Sequence, residues 1–238
     1  MDVEEEEDLL PIVVPISDYS TFIPEGHKKN DPKPTFADIP ESLKTAIKSF
    51  ILTCAIRLAR GQENKHNSML IHVSRYQLWQ NEIKELVAQQ FSYYKQEIKA
   101  NDPSVLREFQ DLLEHDYTET TNKIKNSTLS GINHCLQVHQ WKDIKPLLFK
   151  VVQKIEVKSI NGSSGDVVDY QLNSKNGVSV IAIGGDKLSR GLTLEGLSIS
   201  YFLRASKMYD TLMQMGRWFG FRPGYVDSVS YTHLRAHE

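Results

Sequence analysis

Residues 178–203 read VSVIAIGGDKLSRGLTLEGLSISYFL, and the layout of this stretch decides the fold class. Val178 to Ile183 and Leu197 to Leu203 are short, nearly continuous apolar runs. A strand with one wet face alternates apolar and polar residues, whereas unbroken runs suit strands buried on both faces of a parallel sheet. The first run passes directly into Gly184-Gly-Asp-Lys-Leu-Ser-Arg-Gly191. In an open α/β sheet, ligands sit where loops leave the carboxyl ends of strands. Glycines there let a ligand approach the backbone closely, Ser189 offers a hydroxyl, and Lys187 and Arg190 offer phosphate-directed charge.

Upstream, strands alternate with helices, which predicts an α/β fold. Asp38, Pro40 and Glu41 form a helix-start pattern with Asp38 as cap. Leu43, Ile47, Phe50, Cys54 and Leu58 then recur at helical spacing until Gly61. Met69–Val73 reads as a strand. Ser74 with Gln77 opens a helix whose apolar face is Trp79, Ile83, Leu86, Val87, Phe91, Tyr94 and Ile98, and Asn101-Asp-Pro103 stops it. Further helices are expected over 104–117 and around 132–148, a strand over Val151 to Ile160, and a helix over 207–219. Six of residues 2–8 are acidic, and Pro11, Pro15, Pro24, Pro32, Pro34 and Pro40 follow, so 1–38 is expected to be an extended, acidic and proline-rich linker on a surface.

A second polar cluster, Gln214-Met-Gly-Arg-Trp-Phe-Gly-Phe-Arg222, follows one strand after the glycine loop. Seven of the 13 glycines fall within 181–225, together with six Lys and Arg against three Asp and Glu. Arg217 and Arg222 flank two aromatics, and a guanidinium so mounted can reach across a cleft to a phosphate. Arg190, Arg204 and Lys207 are candidate contacts for a nucleic-acid backbone, with Tyr201 and Tyr209 nearby. The chain as a whole is balanced, with 28 Lys and Arg against 30 Asp and Glu, so it carries no overall basic field. Its two cysteines form no disulfide framework, no apolar run approaches the ~18 residues that span a bilayer, and the N-terminus is acidic where a signal peptide is basic. A cytoplasmic protein without membrane contact is expected.

IAIGGDKLSRGLTLEGLSISYFLR and YDTLMQMGRWFGFRPGY, with IPESLKTAIKSFILTCAIRLARG and SMLIHVSRYQLWQNEI upstream, resemble the Z1 domain family, which carries an endonuclease label. The resemblance covers 39–225, strongly over 181–225 and loosely between 95 and 175. More distantly, the order of elements resembles the second RecA-like lobe of superfamily-two helicases. That likeness implies a RecA-like parallel sheet flanked by helices over 39–226, with a helical insertion at about 95–150. It sets Met69–Val73 and Ser74 at helicase motif four, a nucleic-acid contact. Gly184, Gly185, Asp186, Ser189, Arg190 and Gly191 fall at motif five, and Gln214, Gly216 and Arg217 at motif six. There Arg217 would be the catalytic arginine finger, with Arg222 as a further ATP contact. Two departures stand out: Met213 occupies the place of the usual Gln or His, and Arg222 follows Arg217 by five residues instead of three.

No Gly-Lys pair and no Asp-Glu pair occurs in the sequence, so it has neither a phosphate-binding loop nor a magnesium-binding strand motif. The resemblance therefore implies ATP with magnesium shared with an N-terminal ATPase lobe outside these residues, DNA as partner, and a restriction or defence setting. This chain alone is expected to hydrolyse no ATP. One rival is a metal-dependent nuclease built on Glu156-Val-Lys158 with Asp143, Asp166 and Asp169. Another is a module that only binds nucleic acid or a subunit. His134, Cys135 and His139 lack the partners that complete a zinc set, and no metal site is expected. Residues 227–238, containing SVSYTHLRAHE, resemble translated adapter sequence and are expected to be a non-native tail.

Overall fold

The computed structural model describes residues 13–19, 22–23, 28–29, 31, 38–74, 76–126, 136–160, 170, 172–184, 194–203, 224–225, 227 and 230–233. Six strands, β1 (Val13–Pro15), β2 (Asn67–His72), β3 (Ile155–Ile160), β4 (Ser179–Gly184), β5 (Leu197–Phe202) and β6 (Ser230–His233), form one sheet in the order β1-β6-β5-β2-β4-β3. Every pairing is parallel. β2, β4 and β5 are buried at every position, as expected of central strands covered on both faces.

Alternation along the strands sorts side chains to two faces. Met69, Ile71, Val73, Ile181, Ile183, Ile199, Tyr201 and Leu203 join the larger core with the helices. Leu70, Val180, Ala182 and Phe202 join a smaller one on the other face with Tyr170 and Leu194. Tyr201 is thus a core residue; its hydroxyl lies 2.8 Å from Ser42 Oγ.

The helices are α1 (Glu41–Ala59), α2 (Gln77–Ala100), α3 (Pro103–Leu112), α4 (Thr118–Asn126) and α5 (Trp141–Lys154). The predicted face of α2 is buried except for half-buried Leu86. Asn101 ends α2 in the left-handed region at φ 56, and Asp102 caps α3 by accepting from the backbone N–H of Ser104 and Val105, both at 2.9 Å, with Pro103 in the first turn.

Three local expectations are corrected. Asp38 does not cap α1: Pro40 takes that position, and the Asp38 carboxylate accepts from Ile39 N–H and from Lys44. The helix expected at 104–117 continues through a single π turn, Leu113–Tyr117, into α4. Val151 and Val152 belong to α5 and not to a strand, because with Ile144 and Leu148 they complete one helical stripe that is buried. The expected linker supplies β1 and buries Ile16, Phe22 and Ile23, and the stretch expected as a foreign tail supplies β6.

Gly196 shows how tightly the start of β5 is fitted. Its φ is +68, and a Cβ there would stand 1.8 Å from the carbonyl oxygen of His66. Gly61, at φ +76, has nothing within 4 Å of such an atom. Gly196→Ala is expected to destabilise by about 2–4 kcal/mol and Gly61→Ala by about 1–2 kcal/mol. Urea midpoints compare the two, and equal losses would mean that the contact with His66 is unimportant.

Candidate ligand-binding edge of the sheet

The chain leaves β2 toward β3 at one margin of the sheet and leaves β5 toward β6 on the opposite side. The winding direction thus reverses between the neighbouring strands β2 and β5, and such a reversal opens a crevice at their carboxyl ends. His72 and Phe202 end these strands and stack with ring centroids 4.7 Å apart, while Leu203 N–H donates to His72 O at 3.1 Å. Gly184 ends β4 on the other side of β2; Ile71 pairs with Ile183, which sets His72 level with Gly184.

Ser74 lies two residues beyond β2 and is buried. Its Oγ accepts from Tyr76 N–H at 3.2 Å and its carbonyl from Gln80 Nε2 at 2.9 Å, so it shapes the turn that opens α2. The first turn of α2 carries no acidic side chain and its cap residue Tyr76 makes no capping bond with its side chain, which leaves its positive pole at this edge.

Two of the sequence-derived site residues are described: Gly184 ends β4, and Ser74 follows the end of the neighbouring β2 by two residues. Gly185, Asp186, Ser189, Arg190, Gly191, Arg204, Lys207, Gln214, Gly216, Arg217 and Arg222 lie outside the described residues. The chain enters 185–193 from Gly184 and 204–223 from Leu203, both at this carboxyl edge.

At the opposite end, the structure reveals two buried arginines that the sequence reading passed over. Arg57 donates from Nε to Gln62 at 2.8 Å and from Nη1 to the His66 carbonyl and Asn67 Oδ1, and its guanidinium lies 4.1 Å from the Tyr225 ring centroid. Arg60 grips Asp227 with two bonds of 2.7 Å and also donates to the carbonyls of Gly224 and Gln137. Thr121 Oγ1 donates to Asp227 Oδ2 at 2.6 Å. Charged groups on a helix's buried face must find partners, and Arg57 and Arg60, one turn apart at the end of α1, were the available signal.

Of the nuclease constellation, Asp166 and Asp169 lie outside the described residues. Glu156 and Lys158 pair with each other at 2.7 Å on one side of β3, and Asp143 is engaged in the capping box of α5. No group of three His, Cys, Asp or Glu able to hold a metal occurs among the described residues. Burial pushes the Cys54 thiol up to about 12, which makes it an inert packing group. Burial, and next the Arg60 charge, lowers the pKa of His139; His134 and Cys135 lie outside the described residues.

A parallel, helix-flanked sheet defines an α/β protein. The Z1 domain model matches residues 42–232, most of the chain, and the chain belongs to the Z1 domain family. The match includes β2 to β5, the glycine loop and the Gln214–Arg222 cluster. Neither the curated proteins nor the solved structures yield a match. No helix among the described residues is long and apolar enough to cross a membrane.

Proposed function

We propose that this Z1 domain is the second, helicase-like lobe of an ATP-driven protein that acts on nucleic acid, DNA in the first instance, in a restriction or defence setting. The observation that carries this reading is the carboxyl edge at β2, β4 and β5, where Gly184 leads a central strand into Gly185-Asp-Lys-Leu-Ser-Arg-Gly191. A glycine at the end of a buried strand suits a phosphate chain approaching the backbone. In this reading Ser189, Arg190 and the glycines meet the phosphates, Gln214, Gly216 and Arg222 complete the near wall, and Arg217 reaches the transferred group. ATP with magnesium supplies the phosphoryl chemistry when held between this lobe and an N-terminal one that carries the phosphate loop. Arg204 and Lys207 face the nucleic acid, while Ser74, which is buried, shapes the turn that opens α2.

The test uses a natural protein carrying both lobes. Arg190→Ala is expected to raise the KM for ATP at least tenfold, the worth of one charge-assisted contact. An unchanged KM and kcat would remove the glycine loop from the ATP site. The chain of 238 residues alone is expected to show no hydrolysis above buffer.

A further inference from the structure

We propose that the outer face of α5 is a binding surface for a nucleic-acid strand, distinct from the carboxyl edge of the sheet. Its residues are Lys142, Lys145, Lys150 and Lys154 around an exposed aromatic, Phe149. The inner side of this helix (Ile144, Leu148, Val151 and Val152) is buried, which turns all four lysines and Phe149 to solvent. From Lys142 to Lys154 the helix advances about 18 Å, a footprint of several nucleotides. The acid on the helix, Asp143, accepts from its own cap at Gln140, and Lys142 and Lys145 make no ion pair among the described residues.

Phe149 is 43% exposed amid these cations, the arrangement in which an unpaired base stacks while lysines hold the flanking phosphates. A membrane surface fits less well, because interfacial helices insert an apolar face and that of α5 is committed to the core. Glu63 is the competitor: its carboxylate bonds Lys150 at 2.7 Å and lies 3.7 Å from Lys154. A phosphate must displace it, so Glu63 tunes the affinity of the surface. The inference rests on the reading that the domain works on nucleic acid, but it needs no nucleotide.

Fluorescence anisotropy of the whole chain with a single-stranded oligonucleotide of about 20 nucleotides, without ATP and over a range of salt, tests it. Lys142→Gln with Lys145→Gln is expected to lower the slope of log K against log salt by about 1.4, since each phosphate contact on a single strand contributes about 0.7. Phe149→Ala should weaken single strands about tenfold and leave duplex binding unchanged. Glu63→Gln should tighten binding a few-fold. An unchanged slope in the lysine pair would overturn the proposal. So would an equal drop in the control pair Lys123→Gln with Lys125→Gln on α4, or lysine-dependent binding to phosphatidylserine vesicles with none to the oligonucleotide. Oligonucleotide binding lost in the α5 variants while Arg190→Ala leaves the ATP KM unchanged would sink the ATP reading and keep this one.

Discussion

Asp227→Ala is expected to lower the unfolding free energy by about 3–5 kcal/mol, because it strands a buried guanidinium. Arg60 and Asp227 side chains are 3% and 1% exposed, and their two parallel bonds of 2.7 Å are supplemented by Thr121. Removing the carboxylate leaves Arg60 with carbonyl partners from Gly224 and Gln137 but with no counter-charge. In a domain of this size each kcal/mol moves the midpoint by about 2–4 °C, so thermal unfolding should shift down by about 10 °C. The double variant Arg60→Met with Asp227→Leu removes both charges and is expected to recover much of the loss. A single-variant loss below about 1 kcal/mol in urea titrations would show that the pair contributes little.

Arg217→Ala is expected to reduce ATP turnover about 10³-fold or more in a protein that carries both lobes, with little change in KM. An arginine finger acts on charge that develops as the phosphoryl group transfers, so its removal is read in kcat and not in ground-state affinity. Arg217→Lys should not rescue, because a point charge lacks the forked, planar donors of guanidinium. Arg222, placed five residues on, is expected to affect binding more than turnover. Turnover surviving Arg217→Ala intact would reject the finger and leave the domain as a binding module.

The central sheet was legible because its strands are buried on both faces: the runs at 178–183 and 197–203 match β4 and β5 to within a residue. The α2 face was legible for the complementary reason, a long helix with an unbroken apolar period and a left-handed Asn101 at its end. Val151 and Val152 misled because β-branched residues satisfy a helix as readily as a strand once Ile144 and Leu148 precede them. β1 and β6 escaped because they are only three and four residues long, too short for any period to register. Of the site, the glycine that ends β4 and the serine after β2 were legible from strand-to-loop transitions. The Arg60–Asp227 pair was not, since its partners come from distant parts of the chain and no local pattern joins them.

The sheet order also constrains how the chain assembles during synthesis. Val13 pairs with Tyr231, and β1 touches the sheet through β6, so β1 waits for β6 to be made. At 5–20 residues per second, the interval is on the order of 10–40 s on the ribosome. In its last part, the roughly 1–6 s between β5 and β6, the side of β5 that β6 will cover offers unpaired backbone groups, an edge open to other chains. This is a vulnerable window for the nascent polypeptide, and it closes when residues 230–233 arrive to seal it.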